Sequence, residues 1–139
     1  KAIFQQNGDV VRLAPNGPEI LGQERTGRLV LDGDVIIAAD GKTLNQRRKT
    51  AYNGLISVAI ALDGKGRLFG EPVLKLTGVP LEEDEEDFLD ETVDAITAKY
   101  RKPVGDIGKF SEAVRLLVRR AATEWTGKKP VVSVLLVEA

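Results

Sequence analysis

The chain has 139 residues, 42% hydrophobic and 29% charged, with a formal net charge of −1, enough for one modest core or a small domain with an appended segment. It contains no histidine and no cysteine, which excludes disulfides, thiol nucleophiles, a Cys/His zinc site and a histidine general base from its own side chains. No run approaches the roughly 18–20 apolar residues of a membrane span, and the N-terminus lacks the basic, apolar and small-residue order of a signal peptide, so a cytoplasmic location with no membrane partner is expected.

The sequence begins at Lys1 and holds no methionine, so a piece of a longer polypeptide is expected. Its first 31 residues are short apolar runs between turns: Ala2-Ile3-Phe4, a hairpin turn at Asn7-Gly8, Val10 to Leu13, a second turn at Asn16-Gly17-Pro18, Glu19-Ile20-Leu21, and Gly27 to Leu31. Such strands are too few and too short to bury a core. They read as the edge of a sheet whose other strands lie outside this chain. Residues 32–50, rich in Asp, Gly and basic side chains, read as an exposed linker.

From Ala51 onward the pattern becomes regular. Leu55 to Leu62 is a nearly continuous apolar run, Pro72 to Thr77 is a second strand expected to return antiparallel, and Val131 to Val137 is a third, dense enough to be central or buried on both sides. Two helices fall between the second and third strands. The first begins in the acidic run Glu82 to Asp87, whose carboxylates suit a helix N-terminus, and carries Phe88, Leu89, Thr92, Val93, Ile96 and Tyr100 at helical spacing. The second takes Asp106 as N-cap, carries Ile107, Phe110, Val114, Leu117, Val118, Ala121 and Trp125 on one face, and ends before Gly127 and Pro130. The order β-β-α-α-β predicts an α+β fold in which a small three-stranded sheet is covered on one face by two helices. The other face, assigned to Ile56, Val58, Ile60, Val132, Val134 and Leu136, is then too apolar to remain in water, and a second copy of the chain or upstream domains should cover it.

Charge is unevenly spread. Lys plus Arg against Asp plus Glu is 8 to 6 over residues 1–50, 4 to 11 over 51–100 and 8 to 4 over 101–139. The acidic run has none of the spaced ligands of a calcium loop, and no glycine-rich phosphate loop is present. No catalytic or metal-binding residue is therefore assigned. The basic residues Arg47, Arg48, Lys49, Arg115, Arg119, Arg120, Lys128 and Lys129 are candidates for contacts with a nucleic-acid backbone. Aromatic residues that would stack bases are scarce around them, Tyr52 being the neighbour not assigned to a core face. A solvated basic surface or a protein contact is the competing reading.

The order of these features resembles a known family. Asn7-Gly8-Asp9-Val10, Gly27 to Gly33, Arg47-Arg48 ahead of Asn53-Gly54-Leu55-Ile56, the acidic helix at Phe88-Leu89-Asp90-Glu91, and Thr126-Gly127-Lys128-Lys129-Pro130-Val131-Val132 are together similar to the C-terminal part of bacterial ribonuclease J. The resemblance covers nearly the whole chain, departing around Thr43-Leu44-Asn45-Gln46 and in the Lys128-Lys129 pair. It implies a metallo-β-lactamase parent with an inserted β-CASP domain that degrades and matures RNA as a 5′-to-3′ exonuclease and endonuclease. Residues 1–31 become the closing strands of the β-lactamase domain, 32–50 the linker and 51–139 the C-terminal domain. Zinc is implied for the parent, on an H-x-H-x-D-H motif without counterpart here, and no cofactor for this chain. Its implied role is to support self-association and to position RNA; the alternative is a structural dimerisation or adaptor module that never touches RNA.

Overall fold

Turn chemistry shapes the N-terminal part of the computed structural model, which describes residues 2–139; Lys1, the first residue of the expected closing strands, lies outside them. The chain forms two compact units, Lys1–Asn45 and Gln46–Ala139. In the first, β1 (Asp9–Ala14) and β2 (Gly17–Gln23) pair antiparallel around a two-residue loop, Ala14 facing Gly17. The hairpin therefore closes at Pro15-Asn16, one residue ahead of the expected turn at Asn16-Gly17-Pro18, whose Gly17 and Pro18 instead begin β2, and not at Asn7-Gly8, which makes a turn before β1 with no strand on its N-terminal side. Gly8 holds φ of 97° there, and its carbonyl accepts the Glu24 N–H.

A second hairpin, β3 (Leu29–Asp32) and β4 (Val35–Ala38), turns at Gly33-Asp34. Two pairs of short strands bury little, and none of residues 2–45 is buried. The apolar side chains of Phe4, Leu13, Leu31 and Ile36 stand in solvent.

Residues 32–50, expected as a linker, contain β4 and most of α1 (Lys42–Asn53). The segment is exposed as expected, with no buried residue in α1, but it is regular. Gln46, Arg47, Arg48, Lys49 and Ala51 are good helix formers, and Gly54, in the left-handed region at φ of 82°, ends the helix by donating its N–H to the Thr50 carbonyl at 2.8 Å.

The second unit holds the core. Its sheet is mixed, with strand order β6-β5-β7. The central strand β5 (Leu55–Leu62) pairs antiparallel with β6 (Val73–Thr77) and parallel with β7 (Val131–Glu138). The last strand is thus at an edge, correcting the expectation that it is central or buried on both sides. It runs parallel to β5 because a long crossover separates them. That crossover carries α2 (Glu85–Lys99) and α3 (Ile107–Thr126), which cover one face of the sheet. The fold is α+β, a three-stranded sheet under two helices, with α1 as a third helix.

Register places Ile56 between Leu76 and Val132, and Val58 between Leu74 and Val134, as rows across the sheet. These rows meet Phe88, Thr92 and Ile96 of α2 and Phe110, Val114, Val118 and Ala122 of α3, all buried at i, i+4 spacing. Leu117 and Ala121 are half-buried beside this stripe, whereas Ile107 is exposed and Trp125 is 38% exposed with its ring edge-to-face on Phe88 at 6.0 Å. Asp106 caps α3, its Oδ1 accepting the Lys109 N–H at 2.9 Å, and Gly127 closes it in the left-handed region. For α2, the acids Glu85, Glu86 and Asp87 occupy the first turn, and Asp84 at the N-cap makes no side-chain capping bond.

One core side chain is poorly suited to its place. Thr92 is 1% exposed and its hydroxyl has no partner among the described residues. An unmatched buried hydroxyl costs free energy that an apolar group does not. Thr92→Val should therefore raise the unfolding free energy by about 1 kcal/mol, measured as an upward shift of the urea midpoint at constant slope.

Candidate nucleic-acid interface

Basic side chains from three separate segments converge where the end of α1 meets the end of α3. On the last turns of α1, Lys49 and Tyr52 lie at i, i+3 and so share a face, while the Asn53 side chain donates to the Lys49 carbonyl at 3.1 Å. From α3 come Arg115 and Arg119, one turn apart. The left-handed Gly127 turn then brings Lys128 and Lys129 back beside them, fixed by the Lys128 N–H donating to Thr126 Oγ1 at 3.0 Å and by that hydroxyl donating to the Ala122 carbonyl at 2.6 Å.

The result is an open pocket of about 650 Å³ lined by Lys49, Arg115, Arg119, Lys128 and Lys129, with Tyr52, Asn53 and Thr126 in its wall and Pro130, Val131 and Val132 as apolar lining. No carboxylate is among its lining residues. Arg119 and Lys129 also line an adjoining hollow of about 370 Å³ that contains Arg120 and one carboxylate, Glu124. Six of the eight sequence candidates thus border two adjacent hollows; Arg47 and Arg48, on α1, line neither.

Two contacts organise the pocket. Lys128 Nζ donates to the Tyr52 carbonyl at 3.2 Å and stands 3.8 Å from the centre of the Tyr52 ring, a cation–π contact that ties the loop after α3 to α1. Arg115 is gripped by Glu112 through two bonds, Nε to Oε2 at 2.7 Å and Nη2 to Oε1 at 2.6 Å. The Arg115 hydrogen bond holds the Glu112 carboxyl below its ordinary value of 4.5, and the Glu112 bond raises the Arg115 guanidinium. A depressed carboxyl stays charged as pH falls to its ordinary value, so the pair opens only below that point. Through the neutral range Arg115 is partly neutralised, and the pocket's positive field comes chiefly from Lys49, Arg119, Lys128 and Lys129.

The sequence candidates for an uncovered sheet face lie elsewhere. Ile56, Val58, Ile60 and Val132 are buried and Val134 and Leu136 half-buried, all packed in the core under α2 and α3. That assignment is corrected by one step of strand parity: alternate side chains point to opposite faces, and the bulkier set is the one the helices cover. The open face carries Leu55, Ser57, Ala59 and Ala61 of β5, Val73 and Lys75 of β6, and Leu135 and Val137 of β7. Val73 is 65% exposed and Leu135 and Val137 are 58% exposed. Register aligns Val73, Ala59 and Leu135 in one row.

Comparison with known proteins identifies the setting of this pocket. A family model described as Ribonuclease J C-terminal domain matches residues 42–139, from the first residue of α1 to the residue after β7. The chain belongs to the ribonuclease J C-terminal domain family. It is 32% identical over 139 residues to ribonuclease J of Sinorhizobium meliloti, covering 94% of this chain and 24% of that protein. It is 31% identical over 77 residues to ribonuclease J of Corynebacterium glutamicum, covering 55% of this chain and 11% of that protein. The chain therefore spans about a quarter of the length of the first relative and about a tenth of the second. The family match begins at Lys42, so α1, with its pocket residues Lys49 and Tyr52, is part of this ribonuclease J C-terminal domain.

Zinc, implied for a complete ribonuclease J, does not fit the residues present: histidine and cysteine are absent, and no three acidic side chains group to hold a metal among the described residues. None of the helices among the described residues is long and apolar enough to cross a membrane.

Proposed function

We propose that this ribonuclease J C-terminal domain is a non-catalytic arm that holds the RNA backbone for a metal-dependent RNA-degrading enzyme whose zinc and cleavage chemistry reside in the rest of the polypeptide. The observation that carries the reading is a pocket in which cations from α1, α3 and the Gly127 turn meet with no carboxylate in its lining. Phosphates bind such a place by displacing condensed counterions, so affinity must fall steeply with salt. A structural or adaptor module that never touches RNA would show no RNA binding at all. RNA binding measured by fluorescence anisotropy at increasing salt is expected to give a linear fall of log affinity with log salt. Lys129→Gln and Arg119→Gln should each weaken binding to all sequences alike and lower the slope by about 1. Unchanged binding and slope in both variants would sink the reading.

We further propose that the domain self-associates, through the open sheet face instead of the one expected from sequence. Exposed Val73, Leu135 and Val137 favour this, because an apolar row is better covered than left in water, and a two-fold axis lets one patch serve both partners. Light scattering over a concentration series should show a dimer that persists in high salt, and Leu135→Glu should return it to monomer. A wild-type chain that stays monomeric at high concentration would contradict it.

A further inference from the structure

We infer that the pocket between α1 and the Gly127 turn takes an unpaired nucleotide of single-stranded RNA, with a base against the Tyr52 ring and its phosphates on Arg119 and Lys129; this rests on the RNA-binding reading above. Charge alone does not choose between single and double strands, because both present rows of phosphates. The pocket adds two features that a duplex cannot use. It is concave and of a size that accepts a small organic group, with half-buried Val131 supplying apolar lining among the cations. A phosphate has no use for that apolar lining, whereas a base has an apolar face. A duplex keeps its base faces stacked inside and offers only its backbone and groove edges.

The second feature is Tyr52. A tyrosine on an exposed helix with no buried residue serves no core, yet this one lines the pocket and is 74% exposed. Its ring is oriented by Lys128, whose ammonium stands 3.8 Å from the ring centre over one face, so a base stacks on the opposite face. Because Lys128 is also bonded to the Tyr52 carbonyl, a backbone atom, that tether survives replacement of the side chain. Tyr52 is therefore a preformed stacking platform beside a track of cations, the pairing by which single strands are held without sequence preference.

The test compares an oligouridylate with the same strand annealed to oligoadenylate, binding each to the full chain, with Tyr52→Ala, Tyr52→Phe and Lys129→Gln as variants and circular dichroism to verify folding. The oligouridylate should bind more tightly than the duplex. Tyr52→Ala should weaken oligouridylate binding roughly tenfold while leaving the salt slope unchanged, since a stacking contact carries no charge. Tyr52→Phe, which keeps the ring, should bind as the wild type does. A duplex that binds as well as the single strand, or Tyr52→Ala that binds oligouridylate normally while Lys129→Gln does not, overturns this inference and leaves the backbone-binding reading standing. No binding of either RNA overturns both.

Discussion

Phe88→Ala should lower the unfolding free energy by about 3–5 kcal/mol, a large share of the roughly 5–15 kcal/mol that holds a domain of this size together. Phe88 has no exposed surface and sits in the first turns of α2, where the helix meets the sheet rows built on Ile56 and Val58. Its removal forfeits the transfer free energy of a benzyl group and leaves a cavity that the surrounding core closes only in part. The ring also makes an edge-to-face contact with Trp125, the only tryptophan of the chain. The same substitution therefore has an optical signature. Trp125 emission should shift to the red in the folded variant, because the indole loses the ring that shields one side, and the urea midpoint followed at that wavelength should fall. A loss below about 1 kcal/mol with an unshifted spectrum would mean that the helix–sheet contact lies elsewhere.

How much of this was legible in the sequence differs from element to element. The stripes of α2 and α3 were readable because a helix packed on one side must repeat its apolar residues every three to four positions, and Phe88, Thr92 and Ile96 do so. The α1 helix was not, since none of its residues is buried and no periodic stripe marks it. Propensity and the Gly54 stop were the only signals, in a stretch that composition described as a linker. The choice of sheet face is hidden in the sequence for a different reason. Both sets of alternate residues in β5 and β7 contain apolar side chains, so a period of two identifies two faces without saying which one the helices choose. Bulk carried the missing information: Ile56, Val58 and Ile60 outweigh Ser57, Ala59 and Ala61, and two amphipathic helices take the larger face. The basic pocket was legible as a set of residues but not as a place. Lys49 joins Arg119 and Lys129 only because α1 is a helix that ends at Gly54 and because Gly127 reverses the chain.

Gly54→Ala should be nearly as damaging as the loss of Phe88, by about 2–5 kcal/mol, for two reasons that can be separated. The residue holds φ of 82°, which an L side chain adopts at a cost of roughly 1–2 kcal/mol. In addition, a Cβ at this position would lie 2.5 Å from the Gly78 carbonyl oxygen and 2.8 Å from Val79 Cγ2. The oxygen belongs to backbone beside β6 and cannot swing aside, so strand or helix must move. Gly78→Ala supplies the comparison. Its φ is 65°, but the nearest atom to an added Cβ is the Gly54 Cα at 3.9 Å, so it pays the conformational cost with little crowding. Gly54→Ala should therefore lose about 1–3 kcal/mol more than Gly78→Ala, the share due to close approach alone. The same displacement should reach the pocket. The Gly54 carbonyl accepts the Val131 N–H at 3.0 Å, fastening the end of α1 to the start of β7, and Lys49 and Tyr52 on one side of that bond face Lys128 and Lys129 on the other. At a temperature where both variants remain folded, RNA binding should weaken in Gly54→Ala and persist in Gly78→Ala. Equal stability losses in the two variants would show that the backbone yields freely at this junction, and the close packing of glycine against glycine would then have no energetic role.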